Sequence, residues 1–239
     1  MDMIQFFPKE GSPMNSKKII VATLLCLVLV VGLCLSGTGR FSTLQSDELC
    51  GEWTTVVPAA NYIKDMVSSG LGVDCEVEGS PEITYVFNYY EDGLLTLCIE
   101  TESAKALIET LKVACEKALP EALYNNFLST QGLTKEETDA YLETLGTDIS
   151  DLVADSMRGI NFDGILTRET SPMMMYYTLK DNKIFYASTA EALEAGEFEL
   201  RVDPVLRGKT LTLTNAVDAE GNPFEGSNIV KYPLILNRK

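Results

Sequence analysis

Hydrophobic and polar residues alternate along several short segments after residue 50, which is the pattern of half-buried β-strands. The strongest example is 83–90, where every second residue is large and apolar or aromatic. A turn at 91–93 follows, and its glycine suits a positive φ. A second alternating run, 94–100, comes next. These two runs predict a β-hairpin.

Six further segments have strand composition and are bounded by turn residues. Among them, 173–180 and 183–188 are separated only by Asp181 and Asn182, which predicts a two-residue hairpin turn. The six segments are 51–57, 173–180, 183–188, 198–203, 210–216 and 232–237.

Helical periodicity appears at 59–69, with Gly70 as the expected stop, and again as a block within about 101–160. Apolar residues recur at helical spacing up to Pro120, which is expected to end or kink its helix. A capping box, Thr134 with Glu137, opens a second helix of the block. A third helix is expected from near Asp148 to Gly159. Its predicted buried residues are Ile149, Leu152, Val153 and Met157.

Successive antiparallel strands joined by short turns predict an α+β chain that is mainly antiparallel β. The expected architecture is an up-and-down barrel or a strongly curled sheet with a helical insert at about 101–160. The insert would pack over an open end or against the outer wall.

An apolar run without charges, 19–35, follows Lys17 and Lys18, and the uncharged stretch continues to residue 39. At about 1.5 Å per residue, a helix of this length spans a bilayer of about 30 Å. Lysines before the run predict a cytoplasmic N-terminus and an exported C-terminal domain. We therefore expect a single-pass protein of the cell membrane. The predicted division is a cytoplasmic leader at 1–18, an anchor or signal segment at 19–39, a linker at 40–49 and an exported domain at 50–239.

Two other fates for the apolar segment stay open. A signal peptidase could cleave near Cys34 or Gly37, which would release a secreted domain. The other fate is lipidation at Cys34, although Leu33 occupies the lipobox position where a small residue is usual. Met14 is an alternative start.

Charge and composition exclude several classes of function. The net charge is −16, which repels phosphate backbones and disfavours nucleic-acid binding. The chain contains no histidine, so Ser-His-Asp catalysis, Cys-His catalysis and histidine-bound zinc are excluded. No nucleophile elbow or phosphate-binding loop is present. We expect neither enzymatic activity nor a cofactor.

Four cysteines lie in the exported part, and their separations do not match a zinc site, so no metal is expected. Cys98 alternates away from the apolar face of its strand, towards a wall that the helix bearing Cys115 could cover. This placement favours disulfides Cys98–Cys115 and Cys50–Cys75. Buried thiols are the alternative.

Two other segments suggest chemistry at first sight. Asp218 to Asn222 resembles a calcium loop, but it lacks the spaced ligands and the closing glutamate, so a solvated hairpin loop is favoured. The three methionines at 173–175, followed by two tyrosines, could line an adaptable apolar pocket. Ordinary strand packing is the favoured explanation, since both faces of that strand would be covered.

Short motifs at both ends of the exported domain resemble those of lipocalin-like β-barrels. The first is Cys50-Gly51-Glu-Trp53, and the last are the threonine-rich strand after Gly208 and the final strand that ends at Arg238. With these motifs the chain resembles lipocalin-like exported proteins of Gram-positive gut bacteria. The resemblance implies that Trp53 closes the barrel floor after Gly51 and that Arg238 stacks near Trp53.

These observations predict a non-catalytic module, tethered to the membrane through 19–39, that binds a small apolar ligand or a cell-surface partner. Strand phase gives the expected lining of a cavity. A structural envelope protein with a filled barrel is the alternative, followed by a hydrolase that uses carboxylates alone. The expected lining residues are Trp53, Tyr85, Phe87, Met174 and Tyr176.

Overall fold

A computed structural model describes residues 44–224 and 232–239. The described residues divide into two compact units. Residues 59–81 and 104–169 form a helical unit, and the other described residues form a barrel unit. The helical unit combines 104–169, which overlaps the insert expected at about 101–160, with the segment 59–81.

The barrel unit is a closed eight-stranded barrel in which each strand pairs with the next along the chain and the last pairs with the first. Every pairing is antiparallel. This closure confirms the expected up-and-down barrel and excludes an open curled sheet. The strands are β1 Gly51–Pro58, β2 Glu82–Tyr89, β3 Leu94–Ile99, β4 Met173–Lys180, β5 Lys183–Ala187, β6 Leu200–Arg207, β7 Thr210–Asp218 and β8 Leu234–Arg238.

Turn chemistry sets the register of the hairpins. Asp181 and Asn182 both have positive φ, 52° and 56°, as the two central residues of a type I′ turn require. The predicted hairpin between β4 and β5 is confirmed. Gly93, with φ 82°, turns β2 into β3, as the sequence also predicts. Its backbone lies against the carbonyl of Tyr177, where a side chain would crowd the strand.

The described part of the chain contains seven helices, two of which belong wholly to the barrel unit. The longest begins in the barrel unit and continues through the helical unit. The helices are α1 Ser46–Leu49, α2 Ala60–Leu71, α3 Thr101–Gln131, α4 Lys135–Thr144, α5 Ile149–Gly159, α6 Phe162–Thr170 and α7 Ala190–Glu194.

Two predicted helix ends differ in the structure, and one helix was not predicted. Pro120 lies inside α3, which continues to Gln131, so of the two outcomes expected for this proline, an end of the helix is excluded. Helix α2 passes through Gly70 and ends at Gly72, whose φ of 71° forms a left-handed cap. Helix α6 was not predicted, because its apolar residues are few and polar residues interrupt them.

Capping fixes the starts of α4 and α5 where the sequence predicts. Thr134 and Glu137 form a reciprocal capping box, and Asp148 accepts a hydrogen bond of 2.9 Å from the amide of Asp151. The expected burial of α5 is wrong, however: this helix has an apolar face, but none of its residues is buried.

The predicted leader, the anchor at 19–39, Cys34 and the first four residues of the linker, 40–43, lie outside the described residues. Within the described residues, no helix has both the length and the apolar character needed to cross a bilayer. Within the predicted linker, Ser46–Leu49 is helical, and Leu49 is fully buried in the barrel unit.

Candidate ligand site inside the barrel

The register of β1 and β2 determines which side chains enter the barrel. Trp53 is paired with Phe87 and Thr55 with Tyr85, and directly opposed residues of antiparallel strands share a face. All four are buried, and Trp53 has no exposed surface. Three of the predicted lining residues, Trp53, Tyr85 and Phe87, therefore point inward.

The other two predicted lining residues point outward. Met174 is 66% exposed, and Tyr176 is half-buried on the same face of β4. Their neighbours Met175 and Tyr177 are buried instead, and Met175 is paired with the inward Leu95 of β3. The predicted phase of β4 is wrong because its three methionines and two tyrosines give both faces of the strand similar hydrophobicity.

Tyrosine hydroxyls are gathered within this apolar interior. The hydroxyl oxygens of Tyr89 on β2 and Tyr186 on β5 lie 2.7 Å apart in a buried hydrogen bond. The ring of Tyr177 meets that of Tyr89 edge to face at 5.0 Å, and its hydroxyl donates to the carbonyl of Tyr90 at 2.7 Å. With Tyr232, which precedes β8, these residues form the tyrosine cluster: Tyr89, Tyr177, Tyr186 and Tyr232.

Burial dominates the electrostatics of the cluster. Desolvation raises the pKa of all four phenols, since a phenolate is disfavoured away from water. For Tyr186, the neighbouring hydroxyls of Tyr89, Tyr232 and Tyr177 raise the pKa further. The cluster is therefore neutral at physiological pH and offers hydroxyl dipoles rather than charge.

The Tyr89–Tyr186 pair has one hydrogen-bond donor more than it uses. Each phenol carries one proton, and a single bond between the two oxygens engages one of the two protons. No acceptor for the second proton is found among residues 44–224 and 232–239. A buried donor without an acceptor is costly, so a water or a ligand oxygen at this position would be stabilised.

The end of the barrel next to Trp53 is closed by backbone and side-chain contacts. The indole nitrogen of Trp53 donates to the carbonyl of Leu49 at 2.7 Å. Arg238 lies over the indole ring, 5.4 Å from its centroid, and donates to the carbonyl of Cys50 at 2.6 Å. The structure therefore contains the Arg238–Trp53 contact that the resemblance implies. Gly51 lies directly beneath the guanidinium.

The predicted disulfides are not formed, because Cys50, Cys75, Cys98 and Cys115 are all free. Cys50 lies beside the tyrosine cluster, with its Sγ 3.8 Å from the hydroxyl of Tyr177. In the helical unit, burial raises the pKa of Cys115 to about 11, and nearby Cys75 adds to the shift. The alternating position of Cys98 on β3 is as expected, but alternation alone gives no distance between two sulfur atoms.

The loop that resembled a calcium site closes on itself. Asp218 accepts hydrogen bonds from the backbone amide of Asn222 at 2.8 Å and from its side-chain amide at 3.1 Å. These bonds, the side-chain bond first, lower the pKa of Asp218. The carboxylate therefore serves the turn, as a hairpin loop requires. In the described part of the chain, no cluster of three or more potential ligands is arranged for a metal ion.

Sequence reasoning missed the tyrosine cluster, although a signal was present. Tyr89 and Tyr186 each occupy a position in phase with the apolar face of a predicted strand, and Tyr177 lies on β4, where both faces are similarly hydrophobic. Three inward tyrosines on three strands of one barrel imply hydroxyls in its interior. Only the order and register of the strands show that these hydroxyls meet.

The fold and the site together define a closed antiparallel barrel with a polar cluster inside an apolar interior and a separate helical unit. No protein-family model, no curated protein and no solved structure matches the chain.

Proposed function

We propose that the chain is a non-catalytic, lipocalin-like binding protein that holds a small apolar ligand inside its barrel. The observation that carries the proposal is the buried Tyr89–Tyr186 pair, whose second proton has no acceptor in the described part of the chain. The pair shares the barrel interior with buried apolar side chains of β1, β2, β3 and β4. Apolar walls with a few oriented polar groups are typical of ligand sites.

The chemistry of the cluster selects the kind of ligand. A neutral phenol donates a hydrogen bond, so the preferred ligand carries an uncharged acceptor oxygen, such as a carbonyl or an ether, on an apolar body. A cationic ligand is disfavoured at the Tyr89–Tyr186 pair, since burial keeps both phenols neutral and the neighbouring groups that shift their pKa values are other tyrosines, not carboxylates.

The proposal also places the barrel outside the cell membrane, anchored by 19–39. Support comes from the two lysines before a charge-free apolar run and from the acidic domain that follows. Protease treatment of intact cells, with cell lysis as the control, tests this placement. Protection of the barrel in intact cells would contradict it.

Native mass spectrometry of the full chain tests ligand binding. The protein is purified from its own membranes in two chemically different detergents, so that a detergent adduct is recognised by its mass. We expect one additional mass common to both preparations, bound one to one. A chain that carries no such mass from either detergent would contradict the proposal.

Two tyrosine variants make the test specific. Tyr186→Phe removes a hydroxyl from the buried pair, while Tyr176→Phe removes an outward hydroxyl from neighbouring β4. Losing one hydrogen bond in a buried site costs about 1 kcal/mol or more, so we expect clearly lower ligand occupancy in Tyr186→Phe only. Equal ligand occupancy in the two variants would show that the tyrosine cluster is not part of the binding site.

A structural protein with a filled barrel is the second candidate. It is favoured by the complete burial of Trp53, Val57 and Ile83, which leaves that part of the interior without exposed surface. A barrel of this kind would retain no ligand. The Tyr186→Phe substitution would then change only the stability of the protein.

A further inference from the structure

An open groove of about 350 Å³ lies between two helices of the helical unit. One wall comes from α3, with Glu116 and Pro120, and the other comes from α5, with Ile149, Val153 and Met157. All of its lining residues belong to the helical unit, so the groove is separate from the barrel interior.

The α5 wall is an apolar stripe that the described residues leave only partly covered. Ile149, Val153 and Met157 follow one another at intervals of four residues and therefore lie on one helical face. Each is only half-buried, and none of the residues of α5 is fully buried. A helix normally buries its apolar face, so an apolar face that is only half-buried indicates a binding surface.

The α3 wall supplies two acceptor groups, the side-chain carboxylate and the backbone carbonyl of Glu116. Glu116 is exposed and has no ion-pair partner among the described residues. Pro120 has no N–H, so the carbonyl oxygen of Glu116 lacks the donor that residue i+4 normally supplies. The carboxylate and this carbonyl, on one residue, both suit a donor-rich cation.

Neighbouring cations of the unit are already engaged. Lys117 pairs with Glu78 at 2.5 Å, Arg158 pairs with Asp155, and Lys112 lies over the ring of Phe162 at 5.6 Å. The unit as a whole contains seven Lys and Arg against sixteen Asp and Glu, a net charge of −9. A partner that supplies positive charge is therefore complementary to this unit.

We propose that this groove docks a cationic amphipathic α-helix of a partner protein. The apolar face of the partner helix covers Ile149, Val153 and Met157, and a Lys or Arg beside that face pairs with Glu116. Helix-in-groove binding uses apolar residues at helical spacing in this manner. The inference is independent of the barrel ligand.

Fluorescence anisotropy with a labelled helical peptide tests the proposal. The probe is a lysine–leucine peptide of about five turns, with leucine at every third and fourth position. The full chain is held in nanodiscs of neutral phosphatidylcholine, and empty nanodiscs give the background. We expect saturable binding above that background, weakened by salt because the attraction is electrostatic.

Variants locate the binding site on the protein. Glu116→Lys reverses the charge at the groove, and Glu121→Lys makes the same change at an exposed position of α3 that does not line it. Reversing the charge places a lysine against the cationic peptide, so we expect Glu116→Lys to raise the Kd about tenfold or more and Glu121→Lys to change it little. Val153→Ser, which leaves all charges in place, should also weaken binding.

Three results would overturn the proposal. The first is equal binding of a peptide with the same composition in scrambled order, which would show attraction by charge alone. The second is equal weakening by Glu116→Lys and Glu121→Lys. The third is binding of dodecyltrimethylammonium, a small cationic amphiphile, in the groove without any binding of the helical peptide.

Discussion

Arg238, at the end of the last strand, lies over Trp53 of the first strand at 5.4 Å from the ring centroid. The two residues are also partners in the short ladder that closes the barrel, where β1 and β8 share only two residue pairs. The guanidinium additionally donates to the carbonyl of Cys50. One side chain therefore links both ends of the barrel sequence.

Replacing this arginine should weaken the closure of the barrel. A cation–π contact contributes about 0.5–2 kcal/mol, and a charged hydrogen bond contributes about 1.5–3 kcal/mol. For Arg238→Ala, we expect the free energy of unfolding to fall by about 2 kcal/mol. Trp53 is the only tryptophan, so its fluorescence during urea denaturation reports the change directly.

The control is Arg207→Ala, at an exposed position beside the β6–β7 turn. Equal unfolding curves for the two variants would show that the contact has no energetic role.

Gly51 should tolerate no side chain. Its φ of 129° is a conformation that L-residues rarely adopt, and a Cβ there would lie 3.3 Å from Nη2 of Arg238. Backbone strain of this kind costs about 1–3 kcal/mol, so Gly51→Ala should lower the melting temperature by several degrees. Gly159→Ala is the matched control, because Gly159 has no positive φ and no neighbour near its Cβ position. A melting temperature unchanged in Gly51→Ala would contradict the described backbone.

The tyrosine cluster should make the barrel sensitive to alkali. A free phenol has a pKa of about 10, and burial raises the pKa values of Tyr89, Tyr177, Tyr186 and Tyr232 in the folded state. Above about pH 10, the unfolded state loses protons that the folded state retains, so stability falls as the pH rises. Below that pH this contribution is fully present.

Absorbance at the tyrosinate band measures this behaviour. The chain contains ten tyrosines, and we expect the four of the cluster to ionise only when circular dichroism reports unfolding. Ionisation of all ten in one step, while the barrel is still folded, would contradict the buried cluster.

Free thiols are expected at all four cysteines of the described chain. Alkylation in denaturant without a reductant, followed by mass measurement, should find Cys50, Cys75, Cys98 and Cys115 modified. In the native protein, Cys115 should react most slowly at pH 8, because it is buried and its pKa is raised to about 11. If only two of the four cysteines were modified in denaturant, the other two would be shown to form a disulfide.

Most of the fold could be predicted from the pattern of residues, because local rules decide it. The Asp181–Asn182 turn, the capping box at Thr134 and the helix start at Asp148 each depend on residues close in sequence. The meander order followed from short turns between alternating strands. Closure into a barrel was one of two predicted outcomes, since it depends on a pairing between residues about 185 apart.

The candidate site could be predicted only in part. Alternation placed Trp53, Tyr85 and Phe87 inside, but it failed on β4, where Met174 and Met175 are equally apolar and only the pairing with β3 selects one. The Tyr89–Tyr186 hydrogen bond joins residues 97 positions apart, and no local pattern encodes it. The disulfide pairs failed for the same reason, because spacing along the chain does not give distance in space.

Ligand binding inside the barrel is tested by a crystal structure of the full chain purified from its own membranes. We expect non-protein electron density inside the barrel, with an acceptor oxygen within hydrogen-bond distance of the Tyr89 or Tyr186 hydroxyl. An interior filled by the chain's own side chains, with a protein oxygen accepting the second proton of that pair, would contradict it.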